Sequence, residues 1–265
     1  MTWRDYGELR AYEFEALPVL HGFFTRRGGV SPAPWESLNH GGTVGDIRAN
    51  VVENRRRVFA AIGRPVESIF DVWQVHSATV VVTDAPRPLD QQHQPADAII
   101  TNNPEITLMM RFADCVPVMF YDPKKQVVGI AHAGWQGTVK KIASATVLAM
   151  QKHYGCLPTD IWAGIGPSIG PDHYEVGPDV IEQVRQTFGA RSDEVLISVN
   201  SRTHLNLWMA NKIVLNESGV NTVSIARECT ACHLEDWYSH RGEHGKAGRF
   251  GAVLALEGWS DDRIS

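Results

Sequence analysis

The stretch Met109-Met110-Arg111-Phe112-Ala113-Asp114-Cys115-Val116-Pro117-Val118, followed by Val127-Val128-Gly129-Ile130-Ala131-His132-Ala133-Gly134-Trp135, decides the fold. Both apolar runs read as buried strands. The turn Asp122-Pro123-Lys124-Lys125 between Val116–Tyr121 and Gln126–Ala131 predicts a hairpin. Each run ends or breaks at a residue able to bind metal or act as a nucleophile, Cys115 in one and His132 in the other. Packing alone requires neither a cysteine framed by Asp114 and Pro117 nor a histidine framed by small residues. After His132, Gly134-Trp135-Gln136-Gly137-Thr138 is expected to open a helix with Thr138 as its N-cap. Val139, Ile142, Ala143, Val147 and Met150 would form its apolar face.

Upstream, Val19–Phe24 reads as a strand running into a turn with two exposed arginines, Arg26 and Arg27. A solvated turn is the plain interpretation, although a glycine-flanked arginine pair also suits an anion. A helix is expected from Asp46 to Gly63, burying Val51, Val52, the Arg55 stem, Val58, Phe59 and Ile62. The extended run Ile69–His76 breaks at Ser77 and resumes at Thr79–Thr83, so His76 sits where a side chain can be aimed into a cleft. Residues 84–95 read as a surface loop without chemistry.

Further strands are expected at Ala96–Thr101, Asp160–Ile165 and Val223–Arg227, with helices at Asp179–Phe188 and about Arg202–Glu217. Gly164-Ile165-Gly166-Pro167-Ser168-Ile169-Gly170 is not a dinucleotide fingerprint, because its third glycine is late and Pro167 removes an N–H. It reads as a tight loop allowing close backbone approach. Cys229-Thr230-Ala231-Cys232-His233 matches haem attachment only superficially, and its order is wrong for a nucleoside-deaminase zinc site. A structural pair of thiols beside a glycine-rich loop is the expectation.

With 265 residues, 43% apolar and 21% charged, the chain has globular composition and is read as one domain, 1–265. A net charge of −5 and no basic block longer than Arg55-Arg56-Arg57 argue against nucleic acid as a partner. No apolar run reaches the ~18 residues of a membrane helix. Met1–Tyr6 lacks signal-peptide features, so a cytoplasmic monomer with reduced cysteines is expected.

His76, Cys115 and His132 can meet if their strands are neighbours. Two imidazoles and a thiolate suit zinc, and three protein ligands with an open fourth position is the catalytic pattern. The same residues allow a cysteine hydrolase, with Cys115 as nucleophile and His132 as base. They also allow a blue-copper centre with Met119 or Met109 as a distant ligand, although helices such as these do not suit that fold.

At these positions the sequence resembles the YfiH/YlmD family, whose members have been called laccase-domain polyphenol oxidases, peptidoglycan-editing factors and purine nucleoside phosphorylases. The resemblance rests on His21–Ser31, Ser37–Asn39, Gln74–His76, Ala96–Ala98, Ala113–Val118, His132–Trp135, Gly164–Gly170, Tyr174–Gly177 and Cys229–Cys232, in family order along nearly the whole chain. It implies an α/β (α+β) fold with a two-sheet mixed β core flanked by helices, kin to toxin-type cysteine hydrolases. It also implies one zinc ion, with copper as the other candidate, on His76, Cys115 and His132. The implied activity is phosphorolysis of adenosine, inosine and methylthioadenosine, with adenosine deamination on the side. Amide hydrolysis of peptidoglycan precursors, copper-dependent phenol oxidation and a non-catalytic zinc protein are the alternatives.

Three positions depart from the family pattern. Gln136 stands where arginine is usual, His40 where an apolar residue is usual, and Ser239–Gly242 lacks the usual arginine pair. The expected catalytic set is Cys115, His132 and Asp114, the last as a proton source. Arg26, Asn39 and Arg241 are the expected substrate contacts, with Lys246 as a further substitute for the missing arginine. The turn at Gly134–Gly137 is expected to add N–H donors to an anion.

Overall fold

The computed structural model describes residues 1–258. Two six-stranded sheets pack face to face. The first runs in the order β1 (Thr2–Tyr6), β2 (Leu9–Glu13), β3 (Leu20–Phe24), β14 (Phe250–Ala255), β7 (Thr107–Phe112) and β4 (Ile69–Phe70). The second runs β13 (Thr222–Ile225), β10 (Trp162–Ile165), β8 (Val116–Asp122), β9 (Val127–Ala133), β6 (Ala98–Thr101) and β5 (Val80–Val82). A small hairpin joins β11 (Leu196–Val199) to β12 (Arg202–Leu205). α1 (Arg48–Ala61) covers the outer face of the first sheet. α2 (Trp135–Val139), α3 (Ile142–Tyr154), α4 (Pro178–Phe188), α5 (Ser192–Val195) and α6 (Leu207–Glu217) lie on the side of the second. The result is the expected two-sheet mixed β core flanked by helices.

β8 and β9 are buried at every residue because both of their faces are covered. Alternation assigns the faces. Val116, Val118 and Phe120 pack with Ile142, Val147, Met150 and Val214 under the helices. Met119, Tyr121, Val128 and Ile130 pack against Phe23, Met110, Phe112 and Phe250 between the sheets. The two-sided burial explains why these strands read as continuous apolar runs rather than alternating ones.

Four local expectations change. The helix after His132 starts at Trp135 and breaks at Lys141, where φ is 59°. Thr138 therefore lies inside a helix and donates its hydroxyl to the Ala133 carbonyl instead of capping. Arg202–Leu205 is a strand rather than a helical turn, because Asn206 caps the helix by accepting from Met209 N. α1 runs from Arg48, and Val52 lies on its solvent side.

The loop 84–95 also carries more than turns. It delivers Arg87 and His93 onto Asp71, which is 1% exposed and also meets Arg111 and Arg55. Gln74 adds hydrogen bonds to both the N–H and the carbonyl of Arg111. This ionic cluster pins the chain leading to His76. Charged residues spread over four segments gave no local sign of it.

Candidate metal centre

The register of the central hairpin pairs Val116 with Ala133 and Pro117 with His132. Cys115 and Gly134 therefore come together at the open end of the hairpin, beyond its last rung. A Cβ added to Gly134 would sit 2.6 Å from the Cys115 sulfur and 3.4 Å from the His76 ring, so this position has room only for glycine. His76 enters from the 71–77 segment with φ of 58°, and Asp114 precedes the cysteine with φ of 84°. These two left-handed, non-glycine residues are held there by their surroundings rather than by preference.

The ligand atoms of His76, Cys115 and His132 all lie within 4.8 Å of one another, with His76 Nε2 3.9 Å from the sulfur. The donors around a tetrahedral zinc with bonds of 2.0–2.3 Å sit roughly 3.5 Å apart, so the three side chains need only small adjustments to share one ion. Asp97, which sequence reading left without a role, organises them. Its Oδ1 accepts His132 Nδ1–H at 2.9 Å and the His76 N–H at 3.0 Å. Its Oδ2 accepts from Val75 N, Ser77 N and Ser77 Oγ. The signs of it in the sequence were an aspartate directly before the apolar run Ala98–Ile100 and its place in the Ala96–Ala98 motif.

With Nδ1 committed to Asp97, His132 presents Nε2 to the sulfur. Burial alone would push the Cys115 thiol up, but the charge of His132 and hydrogen bonds from both imidazoles pull it down to about 6. Burial would likewise lower His132, yet the Cys115 charge and the Asp97 hydrogen bond lift it to about 9. Asp97 falls to about 2 against its own burial, because His132 and Ser77 donate to it. The cluster is thus a thiolate beside an imidazolium, and a metal ion would take the place of the imidazolium proton.

Asp114, Arg241 and two residues without an assigned role surround Cys115. Asp114 is buried, and its two oxygens accept from Thr230 Oγ1 at 2.7 Å and the Arg241 N–H at 2.6 Å. The Arg241 guanidinium lies over the Tyr174 ring and donates to the Glu175 carbonyl. Burial raises the Tyr174 phenol, and the Cys115 charge adds to the effect. Burial lowers Arg249, while the charges of Cys115 and Asp114 oppose that change, so its half-buried guanidinium sits within their field.

Two expected substrate contacts are engaged elsewhere. Arg26 is not an exposed turn residue: it bonds the Glu36 and Leu234 carbonyls, pairs with Glu243 at 3.1 Å and stacks on Tyr238. Asn39 is buried with all of its amide capacity used, donating to the Gly41 carbonyl and Asp46 and accepting from the Gly41 and Arg249 N–H groups. Through these bonds it shapes the Arg249 loop. His40 is completely buried with neither ring nitrogen bonded, and burial drives its pKa down to about 3. A cavity of about 750 Å³ lined by Arg4, Glu13, His21 and Arg64 lies apart from the cluster and contains none of its residues.

The family described as multi-copper polyphenol oxidoreductase laccase matches residues 20–257. The chain belongs to that family. It is 39% identical over 240 residues to a protein of Deinococcus radiodurans named purine nucleoside phosphorylase, covering 91% of this chain and 90% of that one. It is 31% identical to a protein of an unknown prokaryotic organism named adenosine deaminase RL5, covering 88% and 93%. The crystal structure of YlmD from Geobacillus stearothermophilus superimposes with a TM-score of 0.91 at 32% identity, covering 96% of this chain and 98% of that chain. Among the described residues, no helix is long and apolar enough to cross a membrane.

Proposed function

We propose that this protein is a zinc-dependent purine nucleoside phosphorylase that cleaves adenosine, inosine or methylthioadenosine with phosphate. One observation carries the reading: two imidazoles and a thiolate converge, both histidines braced by Asp97, with three donors rather than four. Three protein ligands leave the coordination position that a reactive site needs. When bound, zinc would polarise an oxygen of phosphate or ribose and offset its charge.

The chain's own residues supply the remainder. Asp97 accepts the Nδ1–H of His132, so that Nε2 is the nitrogen turned towards the metal position, and it holds the His76 backbone. Arg249 and Arg241 offer guanidinium charge to the phosphate where Gln136 cannot, and a half-buried arginine binds an anion more strongly than an exposed one. Asp114 acts here as a positioning residue, its two oxygens holding Thr230 Oγ1 and the Arg241 N–H beside Cys115. The relative named adenosine deaminase favours deamination as a second activity of the same site.

The test is inosine turnover with and without phosphate, in the wild type and in His132→Ala. Ribose 1-phosphate and free base form only when phosphate is present, and His132→Ala loses turnover together with the ion held by His76, Cys115 and His132. Base release without phosphate would make the protein a hydrolase, and a His132→Ala chain retaining zinc and activity would remove the site assignment.

A further inference from the structure

A second group of ligating side chains lies on the other side of Asp114. Asp172, His173, Cys229 and Cys232 bring one donor atom each to within 4.8 Å of one another. Cys232 Sγ is 3.5 Å and Cys229 Sγ 3.7 Å from His173 Nδ1, and Cys232 Sγ is 3.7 Å from Asp172 Oδ2. These are the separations that one tetrahedral ion imposes on its donors.

The backbone around the group is arranged for the purpose. Cys232 N–H donates to the Cys229 carbonyl, so Cys-x-x-Cys closes into a tight turn that turns both sulfurs towards His173. Gly170 N–H donates to Cys229 Sγ at 3.1 Å, and a side chain at Gly170 would crowd that sulfur. The two loops are joined independently of any ion, through hydrogen bonds between Ser168 and residues 228 and 230. All four cysteines of the chain are free thiols.

We propose that Asp172, His173, Cys229 and Cys232 form a second, structural metal site that takes zinc. Two thiolates, one imidazole and one carboxylate complete a tetrahedron, so the site is closed, unlike the three-donor cluster at Cys115. Soft sulfur donors favour zinc over magnesium or calcium. The ion ties together the loops that hold the first site. Thr230, next to Cys229, donates to Asp114, and the His173 and Glu175 carbonyls accept from Arg241. The proposal does not depend on the phosphorylase reading, since it involves none of the first site's ligands.

Zinc per chain, measured by mass spectrometry on the full chain after passage over a chelating resin, tests it. The wild type carries about two ions, and Cys232→Ser and His76→Ala about one each. Cobalt loaded into His76→Ala then gives thiolate charge-transfer bands and tetrahedral d–d bands, which disappear when His173→Gln is added. A Cys232→Ser chain carrying as many ions as the wild type, or a cobalt-loaded His76→Ala chain without these bands, would each overturn the proposal.

Discussion

Replacing Asp97 by Asn tests whether the two histidines of the proposed zinc site are held by one carboxylate. Asp97 accepts two hydrogen bonds on Oδ1 and three on Oδ2. An amide has a single acceptor oxygen. If that oxygen stays on the histidine side, the NH2 group faces the N–H groups of Val75 and Ser77, each left unmatched at about 1–3 kcal/mol. If the amide turns round, its NH2 faces His132 Nδ1, the ring proton moves to Nε2, and His132 can no longer ligate. Loss of the group that orients a ligand typically costs 10–100-fold in metal affinity, about 1.4–2.7 kcal/mol. Asp97→Asn should therefore bind zinc at least about tenfold more weakly in competition with a chromophoric chelator. It should also melt earlier by circular dichroism without metal. An Asp97→Asn chain with zinc affinity within about twofold of wild type would refute the reasoning.

Asp71→Ala leaves Arg87 and Arg55 buried without a counter-charge, and a loss of about 3–5 kcal/mol is expected in urea denaturation. A loss below about 1 kcal/mol would mean the cluster is solvent-relaxed. Burial would raise Asp71, but the His93 hydrogen bond and the charges of Arg111 and Arg55 hold it well below the usual carboxylate range. Its stabilisation is therefore complete above about pH 4 and lost as pH falls below that, so wild-type melting temperature should drop on acidification more steeply than that of Asp71→Asn. Gly134→Ala places a methyl group 2.6 Å from Cys115 Sγ, forcing a shift of roughly 0.5 Å, more than a metal site tolerates. Zinc retention should fall while the far-ultraviolet spectrum is unchanged, and retained zinc would disprove the close packing. His40→Leu removes a buried imidazole without partners and should stabilise the chain by about 1–2 kcal/mol in thermal melts. Destabilisation would show that His40 has a bonding partner in solution.

Hydrophobic periodicity and turn chemistry are local, and what they encode was legible in the sequence alone: the hairpin of Val116–Ala133, the break at His76, the helix faces of Ile142–Met150 and Asp179–Phe188, and the closeness of Cys115 to His132. The two-sheet fold class came from the resemblance that the family motifs carry. Contacts between segments were not encoded there. Asp97 bonds His132 from 35 residues away, and Thr230 reaches Asp114 across 116 residues. Cys229 meets His173 across 56 residues, so the cysteine pair read as two thiols when it is half of a four-donor cluster. Arg26 and Asn39 looked free because their partners, Glu243, Asp46 and the Arg249 loop, are recruited only when sheet and loops close over them. A side chain's spare hydrogen-bonding capacity depends on its neighbours in space, and only the packing of the two sheets determined which of these residues remained available for a ligand.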